Sequence, residues 1–211
     1  MTTAIAVMVS GRGSNLHSIL EYTAQGVRSQ GESALRVELV ISDRADAQAL
    51  DVARAAGVPQ VRFVDPREYA DREEFDGVCA DMIERAGCRW IVLAGYMRIL
   101  SSQFVKRFVD AIVNIHPSLL PAFPGVHGVE DALRYGAKVS GCTVHLVDEQ
   151  IDHGAILAQS AVAVCDDDDV DSLRARIQQV EHTLYPHLLH RLVTEGFDVD
   201  GRRVIWRGGG I

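Results

Sequence analysis

Residues 4–16 read Ala4-Ile5-Ala6-Val7-Met8-Val9-Ser10-Gly11-Arg12-Gly13-Ser14-Asn15-Leu16. The apolar run 4–9 has the length and composition of a buried strand. It breaks at a Ser/Gly-rich turn, after which Leu16, Ile19 and Leu20 recur at helical spacing. A strand that feeds a helix through a glycine turn is the opening unit of an α/β sheet. The pattern repeats downstream. Val37 to Ile41 predicts a second strand, and Asp46 to Ala56 its helix, ended by Gly57 and Pro59. Val61 to Val64 is strand-like. Tyr69 to Arg85 reads as a long helix with Phe75, Val78, Cys79, Met82 and Ile83 on one face. Trp90 to Leu93 and Ala111 to Ile115 are further strands, and Gly128 to Tyr135 is a helix. Strands alternating with helices predict an open, mostly parallel twisted sheet with helices on both faces, a three-layer α/β fold. After Gly136 the pattern changes. Val139 to Val147 and Ile156 to Val164 predict two antiparallel strands, and Val170 to Val193 a long final helix.

The 211 residues fit a single domain, 1–211, with an N-terminal half of about 1–100, a C-terminal half of about 101–200 and a loosely ordered tail, 202–211. A chain this long buries a core without disulfides or metals. Hydrophobic residues make up 47% and charged residues 24%, which excludes disorder, collagen and coiled coil for the whole chain. The net charge of −8 argues against general nucleic-acid binding, which needs a basic surface. Cys79, Cys88, Cys142 and Cys165 form no C-x-x-C pair and no zinc-spaced cluster, so they read as reduced thiols of a cytoplasmic protein. The N-terminal residues Met1 to Ala4 are not expected to belong to a signal peptide, and no apolar run is long enough to predict a membrane-spanning helix. The acidic run Asp166 to Asp169 reads as a solvated loop at a helix N-terminus, where carboxylates suit the helix dipole.

Four segments carry chemistry. At Ser10 to Leu16, glycines let the backbone approach a ligand, and the helix N-terminus offers free N–H groups to an anion. No Gly-Lys-Ser/Thr comes after it, and Leu16 stands where a dinucleotide fingerprint needs its third glycine. A plain strand–helix turn capped by Ser14 accounts for this segment equally well. At Asn114-Ile115-His116-Pro117-Ser118-Leu119-Leu120-Pro121, Asn114 and His116 share one face of an extended strand end, and Pro117 and Pro121 stiffen the loop beyond it. Carboxyl ends of strands are where open α/β sheets bind ligands. The loop Asp148-Glu149-Gln150-Ile151-Asp152-His153-Gly154 supplies carboxylates. One placed beside a histidine raises the imidazole's pKa and suits general acid–base work, although an acidic surface loop is the plainer reading. At Leu93-Ala94-Gly95-Tyr96-Met97-Arg98-Ile99-Leu100, an apolar cluster comes after a strand and suits a flat heteroaromatic ligand, or a buried loop.

Together these segments resemble the phosphoribosylglycinamide formyltransferases, the folate-dependent glycinamide ribonucleotide transformylases, over nearly the whole chain. The resemblance is most specific at Asn114 to Pro121, then Phe123-Pro124-Gly125 and then Asp152. Gly13-Ser14-Asn15-Leu16 and Gln178 with Glu181-His182 point to the same family. It implies a Rossmann-like formyltransferase fold. It implies that Gly13, Ser14 and Asn15 hold the ribonucleotide phosphate, with Gln178 and Glu181 binding the same substrate. Arg72, Met97, Arg98, Ile99, Leu100 and Asn114 would bind the folate. Asn114, His116 and Asp152 would form the catalytic set, Asp152 orienting His116 and raising its pKa. The cosubstrate implied is 10-formyltetrahydrofolate, with no metal, no covalent enzyme intermediate, small-molecule partners only, and a monomer or homodimer. Ser118 lacks a nucleophile's setting and is expected to be structural. Ala155 stands where relatives often have proline, His153 where they often have a small residue, and Arg12 at a position that varies.

Two other activities are weighed against this one. A 10-formyltetrahydrofolate hydrolase would carry an extra N-terminal domain, for which a first strand at Ala4 is expected to leave no room. A methionyl-tRNA formyltransferase would need a further C-terminal domain and a basic face. A non-catalytic module that senses a phosphorylated metabolite or folate would keep Gly13 to Asn15 without needing Asn114, His116 and Asp152 together. The joint presence of those three argues for an enzyme.

Overall fold

The computed structural model describes residues 2–30 and 34–208. The strands are β1 (Thr3–Val9), β2 (Leu35–Ser42), β3 (Gln60–Phe63), β4 (Trp90–Leu93), β5 (Ile112–His116), β6 (Val139–Leu146), β7 (Ile156–Ala163), β8 (Phe197–Asp200) and β9 (Arg203–Trp206). The helices are α1 (Ser14–Gln30), α2 (Gln48–Ala55), α3 (Arg72–Arg85), α4 (Ser102–Arg107), α5 (Gly128–Tyr135) and α6 (Val170–Thr194). Seven strands form one sheet in the order β3-β2-β1-β4-β5-β6-β7, and β8 with β9 forms a separate pair. The fold is the mostly parallel α/β sheet with an antiparallel C-terminal pair and a long last helix that the sequence predicts. By its contacts the chain divides into two compact units, Met1–Val113 and Asn114–Ile211, so the division falls inside β5 rather than near residue 100.

In the first unit β1 pairs in parallel with β2 on one side and β4 on the other, and β2 pairs in parallel with β3. Strands sheltered on both faces need no polar alternation. Ile5, Ala6, Val7, Met8 and Val9 are accordingly all fully buried. Helix α3 begins later than its sequence pattern, because Asp71 caps it by accepting the Glu74 N–H at 2.9 Å, and Pro66–Glu68 forms a separate 3₁₀ turn. Its buried face is Phe75, Asp76, Cys79, Ala80 and Ile83, with Val78 and Met82 only half-buried. A carboxylate thus sits on the face expected to be wholly apolar. Helix α4 is absent from the sequence reading.

In the second unit β6 and β7 pair antiparallel, and α6 packs on both. A capping box starts α6: Asp169 accepts the Ser172 N–H at 2.8 Å, and Ser172 Oγ accepts the Asp169 N–H at 3.0 Å. Asp168 pairs with Arg176 at 2.6 Å and Asp166 with Lys138 at 2.5 Å. The acidic run is therefore a helix start, as its charge pattern predicts. Leu173, Ile177, Tyr185, Leu188, Leu189 and Leu192 form the buried stripe of α6, each contributing about 1.5–3 kcal/mol by burial. The tail from Arg202 is not loose where it is described. Strand β9 pairs with β8, Trp206 stacks edge-on to Phe197, and the Arg191 guanidinium lies 4.1 Å from the Trp206 ring centre. Residues 209–211 lie outside the described residues.

Candidate active site

Strand β5 delivers Asn114 and His116 to one face, two residues apart, at the strand's carboxyl end. His116 is 4% exposed. Its Nε2 lies 2.8 Å from the Phe123 carbonyl oxygen and its Nδ1 3.3 Å from Asp152 Oδ2. Both neighbours are acceptors, so either neutral tautomer turns one nitrogen lone pair toward an oxygen. The protonated ring fits both. Burial opposes that charge and pushes the His116 pKa below its ordinary 6.5. Asp152 and the Phe123 carbonyl pull it back without cancelling the shift, and His145 adds to the lowering. The Asp152 contribution has the sign read from sequence, but desolvation outweighs it, and the net direction is down rather than up.

Asp152 is also shielded. Burial raises its carboxyl. The neighbouring side chains of His145 and His116 and the Gly125 N–H donated to Oδ2 at 2.7 Å outweigh burial and hold it below 3.8. It is therefore an anion at neutral pH. Asp152 and Phe123 both adopt left-handed backbone conformations, φ +50° and +53°, which non-glycine residues seldom take. Such strain persists where surrounding contacts enforce it, and it gathers at functional sites.

The structure adds a residue that sequence reasoning missed. His145, 2% exposed on β6, donates from Nδ1 to the Leu146 carbonyl at 2.8 Å. In the neutral ring Nε2 is then the acceptor, and Asn114 Nδ2 lies 3.2 Å from it. The same nitrogen is 3.6 Å from Asp152 Oδ1. One amide hydrogen of Asn114 is thereby fixed on His145, and the other remains for a ligand. The available signal is Thr143 and His145, polar and two apart in a mostly apolar strand.

The loop after β5 is built to present the Phe123 carbonyl. Ser118, fully buried, donates to the Ala122 carbonyl at 2.5 Å and lies 3.2 Å from the Phe123 carbonyl. Thr143 donates to the Ser118 carbonyl at 2.7 Å and accepts the Leu120 N–H at 2.9 Å. Ser118 is therefore committed to the loop's own backbone. Gly128 opens α5 against the imidazole: a Cβ there would lie 3.1 Å from His116 Nε2. In the 148–154 loop, His153 Nδ1 binds Asp148 at 2.7 Å, which leaves Asp152 as the carboxylate committed to His116. Gln178 and Glu181 are one turn apart on α6, the first half-buried and the second 4% exposed. The Glu181 charge adds to the burial that pushes the Cys142 thiol up to about 12.

In the first unit, Gly13 takes φ +81° and α1 starts at Ser14, the His17 N–H donating to the Gly13 carbonyl at 2.8 Å. The cap position thus falls on Gly13, leaving the first-turn N–H groups of a 17-residue helix beside Ser14 and Asn15. Gly11 and Arg12 are exposed. Of the 97–100 segment, Met97 is 68% and Ile99 56% exposed, whereas the Arg98 guanidinium lies 4.8 Å above the Phe75 ring. Arg72 stands exposed at the start of α3, 3.9 Å from Glu73.

The sequence model of the formyl transferase family matches residues 3–189. The trifunctional purine biosynthetic protein adenosine-3 of Drosophila melanogaster is 43% identical over 192 residues, 90% of this chain but 14% of the relative. The chain thus spans a small part of the multifunctional relatives it matches. The phosphoribosylglycinamide formyltransferase of Mycobacterium tuberculosis is 42% identical over 94% of this chain and 88% of its own length. Among solved structures, glycinamide ribonucleotide transformylase 1 from Symbiobacterium toebii superimposes with a TM-score of 0.91 at 43% identity, covering 97% of this chain and 94% of that one.

Proposed function

This chain belongs to the formyl transferase family, and from that premise we propose that it moves the formyl group of 10-formyltetrahydrofolate onto the amine of 5-phosphoribosylglycinamide. The products are formylglycinamide ribonucleotide and tetrahydrofolate, a step of purine biosynthesis. The observation that carries the reading is the set Asn114, His116, His145 and Asp152, brought together with both histidines buried and each side chain within reach of the next.

The amine attacks the formyl carbon, a new C–N bond forms, and the bond to the folate nitrogen breaks. One proton leaves the amine and one reaches the departing nitrogen. Negative charge develops on the formyl oxygen, and the uncommitted amide hydrogen of Asn114 is a preorganised donor for it. His145 holds that amide in place. His116, with its pKa below 6.5, is largely neutral at pH 7 and takes up the amine's proton, relayed by an ordered water, at the nitrogen whose lone pair otherwise faces an oxygen. The anionic Asp152 then stabilises the imidazolium that forms.

The remaining roles accord with the same reading. The turn at Gly13, Ser14 and Asn15 binds the phosphate, and Gln178 and Glu181 bind the rest of the ribonucleotide. Arg72 and residues 97–100 contact the folate, Asn114 touching it at the formyl end. What supports the phosphate role is the α1 N-terminus with its exposed glycine turn. What supports the folate role is the outward display of Met97 and Ile99. The test is loss of 10-formyltetrahydrofolate monitored spectrophotometrically with and without glycinamide ribonucleotide. Turnover that requires the ribonucleotide is the expected result. Equal turnover without it identifies a hydrolase, and tight binding without turnover a sensor.

A further inference from the structure

Ser10 is where the two loops of the first unit meet. It ends the run of β1 and opens the Ser10–Asn15 turn, and it is 4% exposed. Its hydroxyl donates to Asp43 Oδ1 at 2.6 Å and accepts the Met97 N–H at 2.9 Å. Its own N–H donates to the Gly95 carbonyl at 3.1 Å. One residue thus holds two backbone positions of the 95–97 segment. The neighbouring Gly11 carbonyl accepts the Ala49 N–H at 3.1 Å, and Gly13 packs so closely on Ala49 that a Cβ would come within 2.7 Å of it. The turn assigned to phosphate and the segment assigned to folate are therefore joined at one buried serine, through its hydroxyl and its backbone N–H.

The bond directions are forced. A serine hydroxyl has one hydrogen, and here a carboxylate takes it in a short, charge-assisted bond. That orients the oxygen lone pairs toward the Met97 N–H and polarises them, so the second bond is strengthened by the first. The far end of the segment is tied separately: buried Asp76 accepts the Ser101 N–H at 2.5 Å, and Ser101 caps α4. Between the two ties the backbone is fixed while Met97 and Ile99 project outward. No catalytic role accounts for Ser10 or Asp43.

We propose that Ser10 is a positioning residue that couples the two substrates. With Asp43 it sets the 95–97 backbone for the folate, and it transmits occupation of the phosphate turn to that segment. The proposal rests on the folate and phosphate assignments above. Coupling between ligands is reciprocal, so it is measurable from either side.

The experiment compares wild type with Ser10→Ala, Ser10→Thr and Asp43→Asn. For Ser10→Ala the KM for 10-formyltetrahydrofolate should rise about five- to tenfold, the worth of one net hydrogen bond, while kcat stays within about threefold. Calorimetric titration with tetrahydrofolate should show at least threefold tighter binding when glycinamide ribonucleotide is present, and Ser10→Ala should erase that difference. Ser10→Thr, which keeps the hydroxyl, should restore both readouts. Asp43→Asn should raise the folate KM at least twofold. A folate KM within twofold of wild type together with an unchanged tetrahydrofolate difference in Ser10→Ala overturns the inference. So does failure of Ser10→Thr to restore them. If Ser10→Ala does not fold, an unchanged folate KM in Asp43→Asn overturns it. Wild-type turnover that ignores the ribonucleotide removes the proposed function and this inference with it. Ribonucleotide-dependent turnover with unaltered variants removes this inference alone.

Discussion

The second unit encloses the two histidines of its candidate site, whereas the first displays the segment assigned to folate. His116 and His145 are 4% and 2% exposed, and each ring nitrogen has a defined neighbour. Met97 and Ile99 are 68% and 56% exposed, and their segment is held by backbone bonded to Ser10 and Asp76. Proton transfer and charge stabilisation depend on atoms placed to a fraction of an ångström in a shielded environment. Recognition of a phosphate or a flat ring needs accessible N–H groups and apolar surface. The contrast separates residues expected to govern kcat from residues expected to govern KM.

The largest effects should come from the buried set. His116→Ala should lower kcat by about 10³-fold, within the range of a lost general base, and leave the ribonucleotide KM within about threefold. Asn114→Ala should cost about 10²-fold in kcat, as for one lost oxyanion donor. Steady-state kinetics with each substrate varied separates the two constants. A ribonucleotide KM that rises as much as kcat falls would move His116 from chemistry to placement.

Asp152→Asn comes next, at about 10²-fold in kcat/KM, and it carries a signed pH effect. The carboxylate pulls the His116 pKa upward against burial. Without that pull burial acts less opposed, and the His116 pKa falls further. The acid limb of kcat/KM should therefore shift to lower pH in the variant. A shift to higher pH, or none, would contradict the assignment of His116 as the group that must be neutral.

Gly13→Ala probes the other side of the contrast. The added Cβ would meet Ala49 Cβ at 2.7 Å and Ala49 Cα at 2.8 Å, at a φ of +81° that side chains rarely adopt. The turn must shift, and the ribonucleotide KM should rise about tenfold, the scale of one strained backbone position. The kcat at saturation should stay within about threefold of wild type. A large fall in kcat with a constant KM would mean that the glycine turn serves the chemistry.

How far this contrast is legible in the sequence depends on the kind of residue. Strands β1 and β4 are legible because parallel strands sheltered on both faces are nearly continuous apolar runs, and β2 because its apolar residues outnumber Arg36 and Glu38. Helices α5 and α6 are legible from their glycine and aspartate boundaries. Helix α4 escapes because six residues give less than two turns of periodicity. Strands β8 and β9 escape because each has four residues, mostly exposed and partly charged. Asn114 and His116 are visible as a strand-end pair, and Asp152 through a resemblance, since no local pattern joins a loop carboxylate to a histidine 36 positions earlier. His145 is hidden inside a run that already reads as a strand. The direction of the His116 shift is hidden for a related reason: sequence names the carboxylate but not the depth of burial that outweighs it.

The smallest effect expected is on stability, and it tests that depth directly. The folded-state pKa of His116 lies below its unfolded value of 6.5. As pH falls past 6.5 the unfolded chain takes up the proton first, and the folded protein resists it. Acidification therefore favours unfolding, and this contribution is fully present above the unfolded pKa and lost as pH drops toward the folded one. Asp152 acts in the same direction but in a lower window, since its unfolded value is 3.8 and its folded value lies beneath that. Between pH 7.5 and 5.0 the His116 contribution dominates the pair. Urea midpoints at those two pH values should fall more on acidification for wild type than for His116→Gln, a comparison in which the surface carboxylates cancel. An equal fall in both proteins would mean that His116 is no harder to protonate in the fold than in the open chain. The buried, charge-resisting environment around the two histidines would then be absent.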